Sequence, residues 1–199
     1  MAPLYIGAAN NTLKQVRPAG ARKVTHVDID STGVSSVVVT GIPSDANRII
    51  IAARNYSVDT GVYHRFSLRF GNGSTNSNNV YWYTSGYYRG SDHATHSRSS
   101  GSPTSYLSLI DTAHTGAAHV ENGTVVCNRF TDSEGTSYAG WHVYAMFGDM
   151  DNSPGMQYTA QGFYGSANGA IDRLIIFNSG AGYDSGARIG VSYETGDWD

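Results

Sequence analysis

Aromatic residues give this sequence its clearest potential for molecular recognition. Tyrosine occurs 14 times, and one aromatic cluster ends in an arginine. Its members are Tyr81, Trp82, Tyr83, Tyr87, Tyr88 and Arg89. Flat Tyr and Trp faces stack on sugar rings or pack against a protein partner, and Arg89 or Asn79 would add polar contacts. The alternative is that these rings fill a core or pair across strands. We take the six residues as a candidate partner or glycan surface.

The carboxylates are the next residues that could support catalysis. Glycoside hydrolysis needs two acids on facing elements, one of them with a pKa shifted by burial. The acids considered are Asp92, Asp111, Glu121, Asp132, Glu134, Asp149 and Asp151. Most of them stand beside Gly, Ser or Asn, which is typical of turns. We therefore expect turn positions and no enzyme.

Histidines and the single cysteine offer little for metal binding or nucleophilic catalysis. A zinc site needs three or four ligands held at a recognisable spacing. His93 and His96 are three residues apart in a polar stretch, and His114 and His119 follow without that spacing. Cys127 lies in the predicted strand VVCNRF, where a buried, inert thiol is expected. The sequence predicts no metal, no cofactor and no catalytic residue.

A calcium loop is suggested only by its opening positions. The run Asp149-x-Asp151-Asn152-Ser153 is similar to the first positions of such a loop, but the glycine and the closing glutamate are missing. This signal is too weak to predict a cation site.

Charge and hydropathy limit the classes of partner. Charged residues are 15% of the 199 and the formal net charge is -3, so no basic surface for nucleic acid is predicted. No apolar run near Met1 is long enough for a signal peptide or a membrane span. A lone cysteine forms no disulfide within the chain. We expect a protein that binds neither nucleic acid nor membrane and is made in a reducing cytoplasm.

The elements that position these residues are predicted to be strands. Short aromatic and β-branched runs are separated by Gly, Asn, Asp and Ser, and period-two alternation is clear over residues 24–29 and 62–70. Residues 47–54 (NRIIIAAR) are apolar on both faces, which predicts a central strand covered on both sides. Residues 86–104 lack a period and are predicted to be a loop that meets a partner. About ten short strands predict an all-β, antiparallel, jelly-roll-like sandwich.

The first 23 residues differ from the rest. They have no sustained period, and they contain the candidate attachment residues Lys14, Arg17, Arg22 and Lys23. We predict an extended N-terminal arm over 1–23, ordered against a partner, and a sandwich domain over 24–199. The alternative is that Leu4, Tyr5 and Ile6 add an edge strand to the protein's own sheet.

Several of these runs are similar to those of a known group of proteins. The segments are 37–43 (VVVTGIP), 48–51 (RIII), 66–73 (FSLRFGNG), 170–176 (AIDRLII) and 183–193 (YDSGARIGVSY). Together they resemble β-sandwich structural proteins of tailed bacteriophages. The resemblance implies a non-enzymatic virion protein, made in the host cytoplasm, that decorates the capsid or belongs to the tail and its appendages.

Two further expectations concern partners. The alternative function is a carbohydrate-binding module that recognises the host surface. Lysine, which often protects exposed sheet edges, occurs only at positions 14 and 23, so neighbouring subunits would cover the edges. We expect contacts with other virion proteins and a homo-oligomer, with a trimer favoured because the resembled proteins are often trimeric.

Overall fold

The structure is a computed structural model. It describes residues 5–8, 14–15, 23–28, 34–56, 65–75, 80–89, 94–99, 103–111, 121–131, 139–149, 156–166, 170–178 and 186–195. Within these ranges every regular element is a strand. No helix there is long and apolar enough to cross a membrane.

Within the described residues, fifteen strands form two sheets. The strands are β1 (Tyr5–Ala8), β2 (Lys14–Gln15), β3 (Lys23–Asp28), β4 (Ser36–Thr40), β5 (Ala46–Tyr56), β6 (Arg65–Asn72), β7 (Ser74–Thr75), β8 (Tyr81–Arg89), β9 (Ala94–Ser99), β10 (Leu107–Asp111), β11 (Glu121–Thr131), β12 (Ala139–Asp149), β13 (Met156–Ser166), β14 (Arg173–Phe177) and β15 (Arg188–Thr195). The smaller sheet has the order β10-β6-β14-β4-β1-β2, with β7 on β6. The larger sheet has the order β3-β15-β5-β11-β12-β13-β8-β9.

All pairings between the described strands are antiparallel. The predicted all-β, antiparallel sandwich is therefore confirmed, whereas its jelly-roll connectivity is not. The centre of the larger sheet is a meander of three long strands, β11, β12 and β13, each of 11 residues.

Aromatic side chains from both sheets form the core between them. On β6 the predicted core face is confirmed, since Phe66, Leu68 and Phe70 are all fully buried, but Ser67 on the opposite face is fully buried as well. The Phe66 ring centroid lies 4.9 Å from that of Phe147, and the Phe70 centroid lies 6.1 Å from that of Trp141. Burying a side chain of this size contributes roughly 1.5–3 kcal/mol. These contacts hold the two sheets face to face.

The central strand β5 is covered on one side only. It lies between β15 and β11, as a central strand should. Ile49 and Ile51 are fully buried, whereas Ile50 and Ala52 are only partly buried. The prediction of cover on both faces was wrong because the smaller sheet packs on one face, and no third layer lies on the other among the described residues.

The predicted loop over residues 86–104 is in large part a hairpin. Strand β8 continues to Arg89, and β9 pairs with it from Thr84↔Ser99 to Arg89↔Ala94. Backbone hydrogen bonds to a neighbour define an edge strand even where the side chains lack apolar alternation. The loop prediction therefore failed for residues 86–89 and 94–99.

Part of the N-terminal segment belongs to the smaller sheet. Strand β1 pairs with β4 through Tyr5↔Thr40 and Ile6↔Val39, and β2 pairs with β1. Lys23 begins β3, which pairs with β15. Arg17 and Arg22 lie outside the described residues, as do the side chains of Lys14 and Lys23. The attachment role and the domain boundary after residue 23 stay predictions.

Candidate binding groove on the outer sheet face

Strand alternation separates the predicted aromatic surface into two faces. We call the face of the larger sheet that points away from the smaller sheet the outer face. Tyr81 lies on the inner side and is fully buried, with its ring centroid 5.0 Å from that of Tyr164. The assignment of Tyr81 to an exposed surface was therefore wrong, because successive side chains of a strand point to opposite faces.

The Tyr81 hydroxyl completes hydrogen bonding on strand β6. It accepts a hydrogen bond from the backbone N–H of Phe70 at 3.0 Å and donates to the Phe70 carbonyl at 3.2 Å. Burial raises the pKa of the Tyr81 phenol above its usual value, and the backbone hydrogen bond of Phe70 opposes this only in part. Tyr81 is thus a core residue with a structural hydrogen bond.

Trp82 points outward and begins a row of four rings. Its ring stacks on that of Phe163, with centroids 4.6 Å apart and planes at 13°. Phe163 is the register partner of His142, and the His142 centroid lies 4.5 Å from that of Phe130. We call these four residues the aromatic row. It crosses β8, β13, β12 and β11, and three strand spacings give a length of about 14 Å.

A glycine on β12, Gly140, allows one ring of this row, that of Phe130, to lie low on the sheet. Gly140 and Gly165 are register partners on β12 and β13. A Cβ on Gly140 would lie 2.8 Å from Cζ of Phe130 and closer still to the carbonyl oxygen of Tyr164. A Cβ on Gly165 would lie 3.7 Å from Cζ3 of Trp82, an ordinary contact. A side chain at position 140 would therefore displace one end of the aromatic row.

A groove of about 290 Å³ opens beside the aromatic row. It is lined by Trp82, Tyr83, Thr84, His142, Tyr144, Gln161, Gly162 and Phe163. The next row of side chains across the sheet forms its opposite side, because Gln161 is the register partner of both Thr84 and Tyr144. We call these eight residues the binding groove. It combines aromatic rings with uncharged polar groups.

The other predicted surface residues have different positions. Tyr83 packs against the core and borders the groove. Tyr88 is 40% exposed on the same face as Trp82 but does not line the groove. Tyr87 and Arg89 belong to β8, but their side chains lie outside the described part of the structure, and Asn79 lies outside it altogether. Of the four predicted residues whose side chains are described, Trp82 and Tyr83 line the groove, and Tyr81 and Tyr88 do not.

The remaining groove residues were not identified from the sequence. Gln161 and Phe163 come from β13, and His142 and Tyr144 from β12. Each strand shows alternation of its own, but only the register between strands brings these side chains beside Trp82. One feature of the sequence could have pointed to these groove residues: alternate positions on β12 and β13 are aromatic or polar.

The candidates for catalysis and metal binding do not form a site in the described residues. Cys127 is fully buried, as predicted, and burial raises the pKa of its thiol. The strand register places Glu121 opposite Asp149 at one end of β11 and β12. No group of three His, Cys, Asp or Glu residues suited to a metal occurs within the described ranges.

Several of these candidates fall outside what the structure describes. They are Asp92, His93, His114, His119, Asp132, Glu134, Asp151 and Asn152, together with the side chains of His96, Asp111, Glu121 and Asp149. Their predicted roles stay predictions.

Comparison with known proteins gives no family assignment. No family model matches the chain, and no curated protein matches it. Among solved structures, the chain is similar to the enzymatically active domain of tailspike protein 2 from bacteriophage CBA120, with 11% identity and a TM-score of 0.33. The match covers 94% of this chain and 30% of that chain, so this chain spans less than a third of that protein's length. A likeness this low carries no argument about function.

Proposed function

We propose that the protein is a non-enzymatic structural component of a tailed-phage virion, either a capsid-decorating protein or a tail or appendage protein. The proposal rests on the runs that resemble such proteins. It includes synthesis in the host cytoplasm and assembly with other virion proteins.

The observation that carries the proposal is the contact between the two distant groups of resembling runs. Strand β14 lies between β4 and β6, so Leu174 pairs with Val39 on one side and Phe70 on the other. The backbone N–H of Ile42 donates to the carbonyl of Asp172 at 3.1 Å, and the N–H of Asp172 donates to the carbonyl of Gly71 at 2.9 Å. The backbone of Asp172 thus bridges the Gly-Ile-Pro turn and the Gly-Asn-Gly turn.

The chemistry of these runs supports a structural role. Their side chains supply the core, as Val37, Val39 and Ile176 do with no exposed surface. The carboxylate of Asp172 accepts hydrogen bonds from its neighbour Arg173 at 2.8 and 3.1 Å, and this lowers the pKa of Asp172. An acid held ionised by an adjacent arginine is a poor proton donor near neutral pH.

Mass spectrometry of purified particles tests the proposal. Virions purified by density gradient from the culture that produces the protein should contain the chain at a copy number comparable to other structural proteins. The control is the particle-free fraction of the same lysate. Presence of the chain in that fraction alone would refute the proposal.

The proposed assembly has its own test. We expect a homo-oligomer, with a trimer favoured, when the purified protein is measured by light scattering at micromolar concentration. A monomer at that concentration would contradict this part of the proposal.

A further inference from the structure

We propose that the binding groove is a glycan-binding site that accepts an uncharged oligosaccharide. The proposal goes beyond the structural role above and does not depend on it, since it rests only on the groove's own residues. The proposed site differs from the surface expected from the sequence, because its residues come from three strands, β8, β12 and β13.

The aromatic side of the groove suits the apolar faces of sugar rings. Trp82 and Phe163 form one stacked unit, and Phe163 is 38% exposed. Tyr144 lies on β12, next to Gln161 and on the side away from β8, the strand of Trp82. Its side chain is 50% exposed. Aromatic residues with a polar tip are favoured at binding sites because they bury large area with few rotatable bonds. The groove thus offers rings along its side and at its far end.

The polar side of the groove, which includes Gln161 and Thr84, suits hydroxyl groups. A Gln amide has both donors and an acceptor, and a Thr hydroxyl donates and accepts. Gln161 and Thr84 are both exposed, and neither side chain hydrogen-bonds another described residue. A sugar hydroxyl also donates and accepts, so it can satisfy either group. A purely apolar ligand would leave both without partners, which costs free energy.

The charge of the lining favours a neutral ligand. None of the eight groove residues is Asp, Glu, Lys or Arg. Recognition of a carboxylate, sulfate or phosphate on an acidic glycan normally uses Arg or Lys. The groove therefore complements an uncharged oligosaccharide better than an acidic one.

The size of the groove favours a small ligand over a protein. Its volume of about 290 Å³ is near the lower end for small-molecule sites. A stable protein interface buries on the order of 800 Å² on each partner, with an apolar centre. The lining of this groove includes the polar, uncharged pair Gln161 and Thr84, so a second copy of the chain is the less suitable occupant.

A glycan array followed by titration calorimetry tests the site. The purified protein is applied to neutral and acidic oligosaccharides, and the strongest neutral hit is titrated. We expect Trp82→Ala and Gln161→Ala each to weaken binding by about tenfold or more, because each removes a central contact. Thr159→Ala is the matched control, since Thr159 is exposed on the same strand and face but does not line the groove. It should leave affinity unchanged.

Circular dichroism and the thermal midpoint establish that each variant is folded. The proposal is overturned if no neutral oligosaccharide binds, if only acidic ones bind, or if Gln161→Ala and Thr159→Ala have equal effects. It is also overturned if Trp82→Ala lowers the oligomeric state in light scattering while the wild type binds no glycan, because the groove would then be a subunit interface. None of these results concerns whether the chain is present in virions.

Discussion

The two faces of the larger sheet are built from the same strands and differ in how much of their aromatic side chains is exposed. On β12 the inner residues Trp141 and Phe147 are each 1% exposed, whereas Tyr144 and Met146 on the outer face are 50% and 58% exposed. The inner rings contact the opposite sheet, while the ring contacts described on the outer face, Trp82 with Phe163 and Phe130 with His142, join neighbouring strands of the same sheet. The number of aromatic residues therefore does not show whether a ring packs in the core or is exposed. The face of the sheet on which the ring lies does show it.

Replacing one tryptophan on each face should give the largest contrast. Trp141→Ala should lower the free energy of unfolding by about 3–5 kcal/mol, because it leaves a cavity beside Phe70 in the core. Trp82→Ala removes only the stacking on Phe163 and should cost about 0.5–1.5 kcal/mol. Urea unfolding of both variants measures the difference. Equal losses would show that the outer face is also a packed interface.

Two glycines on β12 provide the next comparison. Gly140→Ala should destabilise the protein by about 1–3 kcal/mol, since the new Cβ meets the Tyr164 carbonyl and the Phe130 ring. Gly148→Ala is the matched control, because a Cβ there meets no atom within 4 Å. It should be neutral or slightly stabilising. Thermal denaturation of both variants distinguishes them, and a harmless Gly140→Ala would mean that both the backbone at Tyr164 and the Phe130 ring shift at little cost.

Removing the inner phenol should have a smaller effect that depends on pH. Tyr81→Phe leaves the N–H and carbonyl of Phe70 without this partner and should cost about 1–2 kcal/mol at pH 7. Because burial raises the pKa of Tyr81 in the folded state, the unfolded chain loses this proton first as pH rises above about 10.

The phenol's contribution is therefore complete below about pH 10 and is lost above it. The stability advantage of the wild type over Tyr81→Phe should shrink between pH 9 and pH 11 in urea titrations. An advantage that is constant over this range would indicate that the Tyr81 phenol is open to solvent.

The smallest effect is expected for Met146 on the outer face. Met146→Thr should change the free energy of unfolding by less than about 0.5 kcal/mol, because the side chain is exposed and Thr suits a strand. In the wild type, the Met146 sulfur accepts a hydrogen bond from the Gln157 amide at 3.5 Å. A loss above about 1 kcal/mol at micromolar protein concentration would mean that another subunit covers this face.

Much of the fold was predictable because single strands carry their own pattern. The alternation at Phe66, Leu68 and Phe70 identified both the strand and its buried face. The paired strands β8 and β9 show where this fails. The sequence Tyr-Trp-Tyr is aromatic on both faces, so it does not reveal which face is inside, and a shift of one residue exchanges the two.

The groove was beyond prediction for a related reason. Gln161 and Tyr144 become neighbours of Trp82 only through the pairing of β8, β13 and β12. Strand order and register depend on which edges meet during folding, and no local pattern in one strand specifies its partner. Residues 94–99 show the same limit, because a polar edge strand has no apolar period to detect.

The places of β14 and β15 determine when the sandwich can close during synthesis. Strand β14 fills the gap between β4 and β6, and β15 fills the gap between β3 and β5. Both gaps lie between strands that leave the ribosome about 100 residues or more earlier. The meander β11-β12-β13 can pair early through local contacts, whereas the two gaps wait for residues 173–195. Until then both sheets carry unpaired edges, and a nascent chain in this state is open to association with another copy.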